Sequence, residues 1–351
     1  MLNQVHFGDC RTTMRDLKAR GLRVQMCVTS PPYFGLRDYG HDGQLGLEKT
    51  PAAYVAALVE VFEGVRELLA DDGTLWLNLG DSYANDAKWG GSSGGKHVQA
   101  LHGNTGIGRG KNDTGLKPKN LVGAPWRVAF ALQEAGWYLR QDIIWHKPNP
   151  MPESVTDRCT KAHEYLFLLT KSERYYCNMD AIKEPSTQRA LGNRSHKHTA
   201  AYEDGDDTAR TKAGLMAYAQ RQRSKRDSFK RDDSKRAEVM PGQTVGTHRP
   251  EREESEYDTE MRNRRSVWTV ATRPYSGAHF AVFPPALIEP CVLAGSRPGD
   301  VVLDPFIGSG TTAQVALQHG RQWVGCELNQ EYEPLQLDRI YGPAYREFFD
   351  L

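Results

Sequence analysis

Apolar residues fall into short runs broken by polar turns over three stretches of this chain, and thin out over two others. Gln4 to Phe7 and Val24 to Val28 are apolar runs that read as strands. Tyr54, Leu58, Val61, Phe62, Val65, Leu68 and Leu69 recur at the three-and-four spacing of one helix face. Thr50-Pro51 supplies the start of that helix, a capping hydroxyl followed by a proline in the first turn. Asp71-Asp72-Gly73 is its expected stop, and Thr74 to Leu79 the buried strand that follows, turning at Gly80-Asp81. Pro125 to Ala135 predicts a helix with Trp126, Ala129, Phe130 and Leu132 inward. Tyr138 to Trp145 and the run EYLFLLT within His163 to Thr170 predict two strands. Pro284 to Ala294 then reads as helix, Val301 to Leu303 as strand, Thr311 to His319 as helix and Gln322 to Cys326 as strand ending in Glu327. Glu331 to Ile340 is a last helical segment. Strands and helices that alternate in this way predict an α/β fold.

The two stretches poor in apolar residues are of different kinds. Ala84 to Lys119 is rich in Gly, Asn, Ser, Lys and His, too few apolar side chains to build a core, and reads as loop. Its GIGRG lacks the preceding strand and following apolar helix that a dinucleotide fingerprint needs. Ser186 to Arg265 carries a basic run, Arg221 to Arg236, and an acidic run, Glu251 to Glu260. That pattern fits a small recognition module or a charged solvated surface. The two runs nearly cancel, which is why the net charge is only +1 and says nothing by itself about polyanions.

The length, 351 residues, allows one large domain or two modest ones. Six scattered cysteines argue against a disulfide framework and fit a reducing compartment. Cys159, His163 and Cys177 lack the paired spacing of a zinc knuckle, so no metal is expected. With no signal segment and no long apolar span in the sequence, the expected location is the cytoplasm, without a membrane partner.

The chemistry concentrates in two corners. Near the C-terminus, VVLDPFIGSGTTAQVALQHGRQWVGCE gives a strand, a glycine turn, a helix, a second strand and an acid. Gly308 and Gly310 allow the backbone to pass close to a ligand. The helix starting near Thr311 points free N–H groups into the same space. Asp304 stands at the carboxyl end of its strand, where open α/β sheets bind ligands, and Glu327 ends the next strand, where a carboxylate can hold ribose hydroxyls. A phosphate loop needs Lys after the glycines, and this turn has Thr-Thr; the ligand is read as a nucleoside without a phosphate chain, and Asp304 as a partner for an ammonium group. The other corner, Thr29-Ser30-Pro31-Pro32-Tyr33, follows the second strand; alone it is equally compatible with a stiff loop.

Together, TSPPY and DPFIGSGTT resemble the signature pair of the DNA amino-methyltransferases, which methylate the exocyclic amine of cytosine or adenine from S-adenosyl-L-methionine. With the catalytic motif first and the cofactor motif last, the order is similar to that of the beta group. The resemblance covers Gln4 to Tyr83, Pro125 to Pro185 and Val267 to Ile340. It implies a Rossmann-like class I methyltransferase sheet with helices on both faces and a circularly permuted motif order. Its implied parts are a catalytic half at 1–83, a Gly-rich loop at 84–119, core continued at 120–185, a target-recognition insert at 186–265 and a cofactor half at 266–351.

The resemblance also implies residue roles. Asp9 of GDC lies near the cofactor adenine; Asp304, Pro305, Phe306, Gly308, Ser309, Gly310, Thr311 and Glu327 hold the rest of the cofactor; His279 and Phe280 belong to a segment closing over its methionine part. Trp145 and Lys147 of DIIWHKPNP border the flipped base and join the DNA contacts, with Arg221, Arg223, Lys225, Arg226, Lys230 and Arg231 on phosphates. Ser30 Oγ and the Pro31 carbonyl would accept the two amine N–H groups while positive charge grows on nitrogen. Pro31 and Pro32 fix φ, and Tyr33 would stack on the base. Cys291 follows Pro290 within an apolar run, so it reads as core and not as the nucleophile of ring-carbon methylation. Serine before Pro-Pro points to cytosine N4 within the family; adenine N6 is the alternative, and an idle DNA-binding protein a distant one. Double-stranded DNA is the expected partner, with a homodimer and a cognate restriction endonuclease as further family associations.

Overall fold

Asp9 and Thr50 open the first two helices by the same device. Asp9 Oδ1 accepts from Arg11 N at 2.8 Å to start α1 (Cys10–Ala19), and Thr50 Oγ1 accepts from Ala53 N at 3.1 Å to start α2 (Pro51–Leu68). The structure, a computed structural model, describes residues 1–36, 40–84, 115–186, 261–272 and 283–342. Helix α1 is an addition to the expected elements: its inward side chains are only Cys10, Met14 and Leu17, set among charged neighbours. In α2 the expected face, Tyr54 through Leu68, is buried. Asp71-Asp72-Gly73 does not stop that helix. The chain passes from Leu68 directly into strand, and the polar triplet is taken up as an irregularity where the register with the neighbouring strand slips between Val24 and Met26.

The strands before the insert are β1 (Gln4–Phe7), β2 (Val24–Thr29), β3 (Leu69–Leu79), β4 (Tyr138–His146) and β5 (His163–Thr170). Helix α3 (Ala124–Glu134) precedes β4 and buries Val128, Ala129 and Leu132. Phe130 is half exposed, since it lies one position off that face. Strands β6 (Glu184–Pro185) and β7 (Met261–Arg262) pair antiparallel. Then come β8 (Val267–Thr269), α4 (Pro285–Gly295), β9 (Val301–Asp304), α5 (Thr311–Gln318), β10 (Gln322–Glu327) and α6 (Glu333–Tyr341). Residues Glu184–Arg262 form a compact unit of their own, apart from the unit made by the rest of the chain.

In the larger unit, eight strands form one sheet in the order β1-β10-β9-β2-β3-β5-β4-β8. β1, β10, β9, β2 and β3 run parallel; β5 is antiparallel to both β3 and β4, and β8 is parallel to β4. One face packs on α1, α2 and α3 through Met14, Phe62, Val65 and Leu132; the other packs on α4 and α5 through Leu287, Val292, Ala313 and Ala316. This is the Rossmann-like, doubly covered sheet expected, in permuted order. From β9 the chain crosses through α5 to β10 on one side; from β2 it crosses through α2 to β3 on the other. The order of connection therefore reverses between β9 and β2, the place where such sheets open a crevice for ligands. Among the described residues no helix is long and apolar enough to cross a membrane.

Candidate active site

The two sequence corners meet at that reversal. Thr29, last residue of β2, donates from Oγ1 to Asp304 Oδ1 at 2.6 Å across 275 positions of sequence. Asp304 is 1% exposed. Its Oδ1 also accepts from Phe306 N at 3.0 Å, and its Oδ2 from Thr312 Oγ1 at 2.6 Å. Burial pushes this carboxyl up to about 6, against the three donors that pull it down. Asp304 is thus a buried fastener joining β2, the glycine turn and α5.

Pro305, Gly308, Ser309, Gly310 and Thr311 are buried in the turn, and Phe306 is half-buried. Gly310 takes φ 88° at the start of α5, and a Cβ there would stand 3.0 Å from Ile340 of α6, so α6 backs the turn closely. Gln336 Nε2 donates to Gly308 O at 2.7 Å and Arg339 Nη1 to Ser309 Oγ at 2.8 Å. Glu327 ends β10 beside the turn, accepting from Gly308 N and Asn329 N, each at 2.9 Å; burial raises its carboxyl above the ordinary range. Gly8 N donates to Glu327 O at 2.8 Å, which brings Asp9 to the same edge of the sheet. There Arg11 pairs with Asp9 at 2.5 Å and holds its carboxyl below the usual range.

On the other side of the crevice, Pro31 is buried after Ser30, and Pro32 O accepts from Tyr54 Oη of α2 at 2.9 Å. The Tyr33 ring packs closely on Gly80, where a Cβ would stand 2.5 Å from Tyr33 Cε2. Its hydroxyl lies 2.7 Å from Glu164 Oε2 and 3.1 Å from Asn78 Oδ1, and Ser30 Oγ lies 3.3 Å from it. Burial and the nearby Glu164 raise the Tyr33 phenol well above its ordinary range, so it stays protonated. Because β5 is antiparallel, it begins where its parallel neighbours end, and so delivers Glu164 to the active edge. Asp81 accepts from Gly123 N at 3.0 Å and Ala124 N at 3.1 Å, tying the end of β3 to the start of α3.

The two described side chains expected to border the flipped base have other partners in the structure. Trp145 is 3% exposed in the core, and its Nε1 donates to Val270 O at 2.8 Å. Lys147 pairs with Glu164 Oε1 and lies over the Trp145 ring. Cys291 is fully buried in α4, and burial raises its thiol far above the usual value, as befits a core residue. His279, Phe280, Arg221, Arg223, Lys225, Arg226, Lys230 and Arg231 lie outside the described residues. The structure adds Glu164 to the site, and gives Thr29, Asn78, Asp81 and Thr312, which lie in the stretches that carry the resemblance, their own bonding partners there. Asn78 within LWLNL and Glu164 at the head of EYLFLLT are legible as polar residues in apolar strands, a sign that something polar waits at that end.

A buried fastener between a proline corner and a glycine turn, at the reversal of a permuted sheet, defines the class: a methyltransferase of the DNA-modifying kind. The family model described as DNA methylase, N6_N4_Mtase, matches residues 24–337, and the chain belongs to that family of amino-directed DNA methyltransferases, whose target is the N4 of cytosine or the N6 of adenine. Type II methyltransferase M.Cfr9I of Citrobacter freundii is 40% identical over 336 residues, covering 95% of this chain and 86% of that protein. Type II methyltransferase M.SmaI of Serratia marcescens is 41% identical over 334 residues, covering 95% and 89%. Among solved structures, the PvuII DNA methyltransferase (cytosine-N4-specific) aligns with a TM-score of 0.56 at 15% identity, over 99% of this chain and 90% of that one. A protein of Thermus thermophilus, solved with S-adenosyl-L-methionine, aligns at 0.50 and 20% identity, over 96% and 92%. At such identities these two structures speak to the fold, the permuted class I methyltransferase sheet.

Proposed function

We propose that this chain transfers the methyl group of S-adenosyl-L-methionine to the N4 amine of a cytosine flipped out of duplex DNA. The observation that carries this reading is the 2.6 Å bond from Thr29 to Asp304, which sets Ser30 and Pro31 beside the glycine turn. A target amine and a sulfonium methyl can then share one water-poor crevice. The cofactor's nucleoside lies along the ends of β9, β10 and β1, with Glu327 toward its ribose and Asp9 toward its adenine. Its methionine part follows the turn from Pro305 to Thr311, and His279 and Phe280 close over it.

An exocyclic amine is a poor nucleophile because its lone pair is delocalised into the ring. Ser30 Oγ and the Pro31 carbonyl each accept one N–H, which favours the positive charge that develops on nitrogen. Tyr33 offers its ring to the base. An uncharged hydroxyl at Ser30, where a carboxylate would favour adenine, supports cytosine as the base. The basic run 221–236 supplies phosphate contacts, and its segment reads the target. Duplex DNA methylated by the protein, digested to nucleosides, is expected to yield N4-methylcytosine; N6-methyladenine alone would overturn the choice of base.

A further inference from the structure

Two hydrogen-bonding groups, Tyr33 and Glu164, stand in line behind the proposed amine acceptor Ser30. Ser30 Oγ donates to Tyr33 Oη at 3.3 Å, and Tyr33 Oη donates to Glu164 Oε2 at 2.7 Å. With both hydrogens directed away from the crevice, Ser30 is left with its lone pairs for the substrate, the polarity an amine requires of it. The line ends on a carboxylate whose other oxygen faces the Lys147 ammonium. Both members of that pair are mostly shielded from solvent, the side chains being 19% and 15% exposed. An ion pair so placed is a costly way to brace a tyrosine, since a neutral acceptor would hold the same hydroxyl.

We infer that Ser30, Tyr33 and Glu164 form a proton relay that receives the proton released from the methylated amine, with Glu164 as a positioning residue and terminal acceptor. The inference rests on the amino-methyltransferase reading but not on which base is methylated. The N–C bond forms as the S–C bond of the sulfonium breaks, and the nitrogen becomes cationic. One of its protons passes to Ser30 Oγ while the Ser30 proton moves to Tyr33 Oη and the Tyr33 proton to Glu164 Oε2. The amine ends neutral, both hydroxyls end protonated, and Glu164 ends as the acid, which later loses its proton to solvent. The Tyr33 phenol never has to ionise as a resting group, in keeping with its raised range.

The groups facing Glu164 come from several elements. Lys147 follows β4; Asn78 of β3 reaches Oε2 from Nδ2 at 3.3 Å; Tyr33 comes from the proline corner. Lys161 and His163, on the approach to β5 and at its head, feel its charge, and Asp81 in turn acts on Lys161. Asp304 titrates near 6 and is present in every variant below, so differences between variants isolate Glu164.

The test is single-turnover methyl transfer from labelled cofactor to duplex DNA, across pH, for wild type, Glu164→Gln, Tyr33→Phe and the double variant. Glu164→Gln is expected to slow transfer about 100-fold with cofactor and DNA affinities within about twofold of wild type. Its pH profile should differ from that of the wild type, because the terminal acceptor of the line is gone. The double variant should be no slower than the slower single one, because the members act as one unit. A wild-type rate in Glu164→Gln, an unaltered pH profile, or additive losses would each overturn the relay. Should Glu164→Gln fail to bind cofactor, Tyr33→Phe carries the test alone, through the same pH profile. Nucleoside analysis of the wild-type product reports on the base independently, so a wrong base and an absent relay are told apart.

Discussion

Ser30 and Asp304 are the residues at which the proposed chemistry is most open to test. Ser30→Ala removes an acceptor from the amine and the first member of the relay, and should lower single-turnover methyl transfer about 100-fold. Cofactor affinity by titration calorimetry should hold, because the side chain reaches Tyr33 and not the glycine turn. Asp304 makes a pH prediction. Its folded carboxyl stands near 6, above the ordinary aspartate value of 3.8, so the folded state binds this proton more tightly than the unfolded chain does. Its contribution is thus most favourable at acid pH and is lost as pH rises to about 6. Asp304→Asn should remove that loss. Relative to wild type, its unfolding free energy in urea should improve between pH 4 and pH 7, by at most about 3 kcal/mol. A difference flat with pH would refute the assignment. Asp304 is legible in sequence as a strand-end acid but not as a buried one, because the hydroxyls that satisfy it, Thr29 and Thr312, come from other elements and look ordinary in the chain.

At the scale of elements, what the sequence makes plain is what side chains settle locally. Helix α2 follows from Thr50, Pro51 and a six-residue apolar face, and the glycine turn from DPFIGSGTT between a strand and a helix. Helix α1 escapes notice because three inward residues in ten carry too weak a period. The passage from α2 to β3 misleads because Asp-Asp-Gly signals a turn, while the neighbouring strand here absorbs it as a register slip. The arrival of β5 at the active edge is not legible at all, since strand direction depends on pairing partners. That packing yields its own prediction. Gly80→Ala at the end of β3 drives a methyl into the Tyr33 ring, at 2.5 Å from Cε2, and should cost about 1–3 kcal/mol of stability by overpacking. Methyl transfer should fall further than stability accounts for, because the displaced ring carries the Tyr33 hydroxyl away from Glu164. Parallel urea unfolding and rate measurements check both, and an unchanged rate would show that Tyr33 has room to spare.

For the molecule as a whole, nearly equal acidic and basic totals conceal a basic run and an acidic run within 186–265. If the basic run holds phosphates, Arg223→Ala with Arg226→Ala should weaken DNA binding alike on cognate and unrelated duplexes. The slope of log affinity against log salt should become shallower by about 1 to 2, some 0.9 for each phosphate left without its arginine. Fluorescence anisotropy over a salt series measures it, and an unchanged slope would return the run to ordinary surface. The strand order also bears on how the protein comes into being. β9 lies between β10 and β2, and among the described residues β1 pairs only with β10, yet β9 and β10 come about 270 residues after β2. On the ribosome, β1 and one side of β2 must therefore wait with open edges until those late strands have emerged. No methyl can be moved by a half-made chain, and an mRNA cut short before those strands would yield a sticky fragment suited to chaperones rather than a slow enzyme.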